Sequence, residues 1–160
     1  AVVVLQSVSG KREVEIAKFV TGYRQTVRAP NELIVEVILP KPKANAIIKW
    51  YKISKRKDLD ISTVSAGFRI ELDGLDRINH ATLVYGGMAE RIKRSSTAEN
   101  FLQGKQWTRE TVEEAMQFID KDFTPISDAR GSAEFRRVAA RNLLLKFWSE
   151  TRRSDNGQNA

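Results

Sequence analysis

Residues 61–85 read ISTVSAGFRIELDGLDRINHATLVY. Residues 61–72 alternate apolar and polar side chains, Asp73-Gly74 supplies turn chemistry, and residues 78–85 form a further apolar run ending at Gly86-Gly87. Upstream, residues 46–54 read as an apolar and aromatic strand, and the charged KRKDLD run after it reads as a loop. Downstream the period changes from two to 3.6. Residues 95–102 predict a short helix stopped by Gly104. Thr111-Val-Glu-Glu114 fits a capping box, with Val112, Ala115, Met116 and Ile119 along one stripe. Pro125 and Gly131 separate this helix from a long one over 132–152. There Phe135, Val138, Ala139, Leu143 and Phe147 are expected to face a core, with Arg136, Arg137 and Arg141 in water. Three strands followed by three helices predict an α+β fold, a three-stranded antiparallel sheet packed on one face by helices.

Further toward the N-terminus, residues 32–39 (ELIVEVIL) form the clearest strand, closed by Pro40 and Pro42. Residues 2–6 and 13–17 read as a hairpin, and residues 19–30 as a turn and irregular loop. The KPKAN stretch is expected to be a linker. This gives an N-terminal piece over 1–42, a main domain over 46–153 and a polar tail over 154–160. The chain opens on a strand without methionine, so the expectation is a trimmed piece of a larger protein.

Of the 160 residues, 41% are apolar, enough for a true core. No run has transmembrane length and no signal pattern opens the chain, so the reading is a cytoplasmic protein with no membrane partner. With no cysteine the chain holds no disulfide, thiolate nucleophile or cysteine-ligated cluster. His80, the single histidine, argues against a self-contained imidazole metal site. The net charge of +7 is spread over residues 49–57, 91–94 and 136–153, interrupted by apolar and acidic residues. Such clusters read as a solvated face rather than a nucleic-acid stripe.

Three segments bear on function. Tyr51-Lys-Ile-Ser-Lys-Arg-Lys-Asp-Leu-Asp-Ile-Ser62 delivers a cationic loop and then an aspartate from a strand end. Lysine or arginine there can hold phosphate or the electron-rich edge of an aromatic cofactor, or simply form an exposed charged hairpin. Gly86-Gly87 marks a strand end with unusual backbone angles or close approach, without the third glycine of a dinucleotide fingerprint. The third segment, Asp122 to Arg136, reads DFTPISDARGSAEFR; Glu134 and Arg136 at its helix start are expected to be structural.

The ordered set resembles the flavoprotein portion of the molybdenum hydroxylases. It is similar above all to the FAD-binding subunit of bacterial xanthine dehydrogenases and to the carbon monoxide dehydrogenase flavoprotein C-terminal domain. Residues 22–40 resemble the stretch just before that domain, so the likeness covers about 19–148. The resemblance implies that residues 1–42 are a remnant of the FAD-binding domain and that FAD is the cofactor. It implies molybdopterin and 2Fe-2S clusters on other subunits or domains, a hetero-oligomer, and NAD as acceptor during purine oxidation. By position it implies that Lys52 makes a polar flavin contact and that Ile61 and Ile34 are apolar walls. Asp60 is implied to shape the loop. Leu59 departs from the acidic residue of animal members. The family's main phosphate-binding loops have no counterpart in this chain, so the isolated chain is expected to bind FAD weakly or not at all. No catalytic acid, base or nucleophile is expected. Alternatives are another molybdenum hydroxylase flavoprotein, of carbon monoxide dehydrogenase or aldehyde oxidase type, or a basic nucleic-acid-binding domain.

Overall fold

A computed structural model describes residues 1–56 and 60–152. The chain divides into two compact units, Ala1–Ala44 and Asn45–Ala160. Lys57 to Leu59, the middle of the charged loop, lie outside the described residues, as does the tail from Arg153.

In the first unit, β1 (Val2–Ser7) and β2 (Gly10–Glu15) pair as an antiparallel hairpin. Gly10 at its turn has φ +130°, a conformation that only glycine adopts without strain. Residues 19–30 are more ordered than the turn and loop expected of them. A four-residue helix α1 (Ile16–Phe19) leads into β3 (Val20–Gly22), which pairs with β4 (Gln25–Thr26). Propensity could not show this, because the pairing is only a few residues long. β5 (Leu33–Ile38) then adds to the other side of β1, giving the order β2-β1-β5. Val3, Leu5 and Phe19 form the core of this unit. Glu32 ties the strand entry down. Arg12 Nε and Nη2 donate to its carboxylate at 2.5 and 2.8 Å, and the amide of Ala29 donates at 2.6 Å. These donors, the Arg12 guanidinium first, pull the Glu32 carboxyl down to about 2.

The second unit is an antiparallel sheet of β6 (Ala46–Ile53), β7 (Val64–Leu72), β8 (Ile78–Gly86) and a two-residue β9 (Lys93–Arg94), in that order. Three helices follow, α2 (Ser96–Leu102), α3 (Arg109–Asp122) and α4 (Ala133–Thr151). The fold is the α+β arrangement expected, with β9 as an added fourth strand too short to leave a sequence signal. Period-two alternation puts Val64, Ala66, Phe68 and Ile70 of β7, with Ala81, Leu83 and Tyr85 of β8, on the helix-covered face. Phe68 sits at the centre, its ring 5.1 Å from Tyr85, 5.4 Å from Phe147 and 5.7 Å from Tyr51. Burying a side chain of this size contributes about 1.5–3 kcal/mol. The Tyr85 hydroxyl is satisfied by donating to the Ala140 carbonyl at 3.2 Å.

Two helix readings need correction. α3 is capped by Thr108, whose hydroxyl accepts from the Thr111 amide at 3.3 Å. The cap therefore lies three residues before the expected box, although Val112, Ala115 and Ile119 do form the buried stripe. In α4 the buried residues are Arg136, Ala139, Ala140, Leu143, Leu144 and Phe147, spaced at the helical period. Phe135 and Val138 lie off that stripe at 47% and 41% exposed, whereas Arg136, expected in water, is 3% exposed. Hydropathy ranked the phenylalanine inside. The helix phase and three backbone or carboxylate acceptors put the arginine there instead.

Candidate functional site

β6 ends at Ile53, and the chain returns to the sheet at Thr63, whose amide donates to the Ile53 carbonyl at 2.7 Å. Lys52 lies next to the strand end, across from Ser65 and on the same face as Ile48 and Trp50. It is exposed, and among the described residues its ammonium has no hydrogen-bond partner. On this face Trp50 is 81% exposed, beside Gly67, whose missing side chain leaves open space.

Asp60 accepts hydrogen bonds from the chain on both sides of residues 57–59. Its carboxylate accepts from the Arg56 amide at 3.2 Å and the Ile61 amide at 2.9 Å. Those amide contacts, that of Arg56 above all, hold its carboxyl below the usual aspartate range, with the charges of Arg56 and Lys52 adding to the effect. Asp60 is therefore ionised at neutral pH. Ile61 is 63% exposed, an aliphatic side chain in water directly after the aspartate. The structure thus brings Lys52, Asp60 and Ile61 to one end of β6. Ile34 lies at the start of β5 in the other unit, 51% exposed. Leu59 lies outside the described residues.

On the side toward α4, a cleft of about 320 Å³ is lined by Ile53, Lys55, Thr63, Arg130 and Phe135, among others. A second, of about 310 Å³, is lined by Lys52, Tyr51, Ile53 and Lys146 with α4 residues Asn142 and Leu143. Both clefts combine apolar walls with cations. In the second, the Tyr51 hydroxyl donates to Glu150 at 2.9 Å. Burial first, and then this bond, push the phenol above its ordinary range, so it stays neutral. The described walls of both clefts include aliphatic, aromatic and cationic side chains, an arrangement that can bind and orient.

The junction behind these clefts was not foreseen. Arg136 donates to the carbonyl of Thr63, to that of Gly87 at 2.8 Å and to the Asp128 carboxylate at 2.7 Å. Gly87 has φ +78°, and a Cβ there would stand 2.3 Å from the Thr63 carbonyl oxygen. The close approach expected of Gly86-Gly87 is therefore real, and its cause is internal. A signal for Arg136 existed in its phase with Ala139, Ala140, Leu143 and Phe147.

Residues 49–151 match the CO dehydrogenase flavoprotein C-terminal domain, and residues 1–42 match the FAD binding domain in molybdopterin dehydrogenase. The chain belongs to the CO dehydrogenase flavoprotein C-terminal domain family. It is 33% identical to a xanthine dehydrogenase of Blastobotrys adeninivorans, over 93% of this chain and 11% of that protein. It is 27% identical to the nicotinate dehydrogenase FAD-subunit of Eubacterium barkeri, over 92% of this chain and 51% of the subunit. Carbon monoxide dehydrogenase from Hydrogenophaga pseudoflava shares its fold with a TM-score of 0.85 and 25% identity, covering 91% of this chain and 50% of the matched one. The chain thus spans only a tenth to a half of these relatives. The cofactor of the family is FAD, and the described residues fit its ring system. An exposed aliphatic side chain, Ile61, and a cation, Lys52, stand at one strand end. No described helix is long and apolar enough to cross a membrane.

Proposed function

We propose that this chain is part of the FAD-containing component of a xanthine dehydrogenase, on the path from iron–sulfur clusters to NAD during purine oxidation. In this reading residues 1–42 belong to the FAD-binding domain, residues 46–153 form the flavoprotein C-terminal domain, and the enzyme is a cytoplasmic hetero-oligomer with molybdopterin and cluster components. The observation that carries it is the grouping of Lys52, Asp60 and Ile61 at the end of β6, in a chain of this family. When bound, FAD supplies the hydride chemistry. Lys52 offers a fixed positive charge to the polar edge of the ring. Ile61 offers an apolar wall that excludes water, and ionised Asp60 orders the backbone carrying Ile61 by accepting its amide.

The test is Lys52→Ala in the complete flavoprotein. Losing a charge-assisted hydrogen bond is worth roughly 1.5–3 kcal/mol, so FAD affinity or the NAD reduction rate should fall about 10- to 100-fold. Unchanged FAD content together with an unchanged rate would remove Lys52 from the site. A second reading, the flavin subunit of a nicotinate-oxidising enzyme, is favoured by the match to half of the Eubacterium barkeri subunit. Substrate trials of the assembled enzyme with xanthine and nicotinate decide between them.

A further inference from the structure

Arg136 is the only buried lysine or arginine among the described residues. A guanidinium loses its hydration on burial, and only well-placed acceptors offset that loss. Here each acceptor belongs to a different segment. The Thr63 carbonyl lies where the chain re-enters the sheet, two residues after Ile61. The Gly87 carbonyl lies in the turn after β8, and Asp128 lies in the turn before α4. That last turn is closed on itself, Asp128 and Gly131 exchanging backbone hydrogen bonds at 3.1 and 3.2 Å. It also presents carbonyls outward. Ala129 accepts from Lys55 Nζ at 2.6 Å, and Arg130 accepts from the Thr63 hydroxyl at 3.1 Å. Both ends of the charged loop, at Lys55 and at Thr63, are therefore fastened to one turn, and the guanidinium holds both that turn and Thr63.

An apolar side chain could fill the same space. It could not hold two carbonyls and a carboxylate at once. We propose that Arg136 is a positioning residue, which sets Ile61 against the flavin ring through Thr63 and the Asp128 turn; this role rests on the flavin reading above. The ring stays bound without it, but its wall is displaced.

The experiment compares Arg136→Lys, Arg136→Gln and Asp128→Asn with the unmodified complete flavoprotein. It reads FAD content, the visible flavin spectrum, kcat and KM for NAD, and the rate of tryptic cleavage after Lys55 and Arg56. All three variants should keep FAD. The KM for NAD should rise about tenfold for Arg136→Gln while kcat changes by less than about twofold, the pattern expected when binding shared by the ground state and the transition state is weakened. Tryptic cleavage at the two sites should accelerate, and Arg136→Lys and Asp128→Asn should show smaller shifts in the same direction. Folded variants with unchanged spectrum, KM and cleavage rate would show that Arg136 only packs, and the proposal would be wrong. If the Arg136 variants do not fold, Asp128→Asn decides by the same readings, since it removes the carboxylate charge facing Arg136 and no core volume. Faster cleavage together with a flavin spectrum that neither these changes nor Lys52→Ala alters would overturn the flavin reading instead, and with it the stated purpose of the positioning.

Discussion

β5 and β7 are both rich in aliphatic residues, and they end in opposite environments. In β5, Leu33, Ile34, Val35, Val37 and Ile38 are 41–71% exposed, on both faces of the strand. In β7, Val64, Phe68 and Ile70 are 0–1% exposed while Ser65, Gly67 and Arg69 point the other way. β5 is the edge of a three-stranded sheet whose core comes from Val3, Leu5 and Phe19, all on other segments. β7 lies between β6 and β8, with Phe147 of α4 packed on Phe68. Apolar content makes a strand. Whether that strand is buried depends on what the other elements bring to it.

The contrast can be tested by substitution and denaturation. Phe68→Ala should cost the most, about 3–5 kcal/mol in urea unfolding, because it empties the centre of an aromatic cluster. A loss below about 1 kcal/mol would mean that the β7 face is less tightly packed than its exposures indicate. Gly87→Ala should follow at roughly 2–4 kcal/mol, since the methyl group meets the Thr63 carbonyl in a backbone conformation that disfavours any side chain. A neutral result would show that the turn can shift, and would weaken the junction around Arg136.

The first unit should respond to acid instead. The Glu32 carboxyl is pulled from 4.5 to about 2 in the folded state, so the unfolded chain binds the proton first as pH falls. The stability contributed by its contacts with Arg12 and Ala29 is complete above 4.5 and is lost as pH falls from there through about 2. Hydrogen exchange in β1 and β5 across that range should show it, and Glu32→Gln should flatten the dependence. Smallest of all, Val35→Ser on exposed β5 should change stability by no more than about 0.5 kcal/mol. A larger loss would mean that this strand is covered in solution.

Much of this was legible in the residues. Alternation in β7, the apolar run of β8, Gly104 after α2 and the Val112, Ala115, Ile119 stripe in α3 are local patterns, and each gave its element. Lys52, Asp60 and Ile61 were singled out through the motif that joins them, and in the fold the Asp60 carboxylate accepts from the Arg56 and Ile61 amides. The α3 cap was misplaced because Thr108 and Thr111 are both plausible caps and only the backbone decides between them. The α4 phase was misjudged because Phe135 and Val138 are apolar by type, while the partners that admit Arg136 lie 8, 49 and 73 residues away.

Order and type of the longer elements, the cationic strand end and membership of a flavoprotein family followed from the chain read alone. Those properties depend on neighbours within a few residues, or on motifs carried whole. Only the tertiary structure decided that Arg136 is inside, that Gly87 must lack a side chain, and that Lys55 and Thr63 are fastened to one turn. The physical reason is common to all three. A buried polar group is stable only where its acceptors converge, and the acceptors here are backbone carbonyls and a carboxylate brought together by folding.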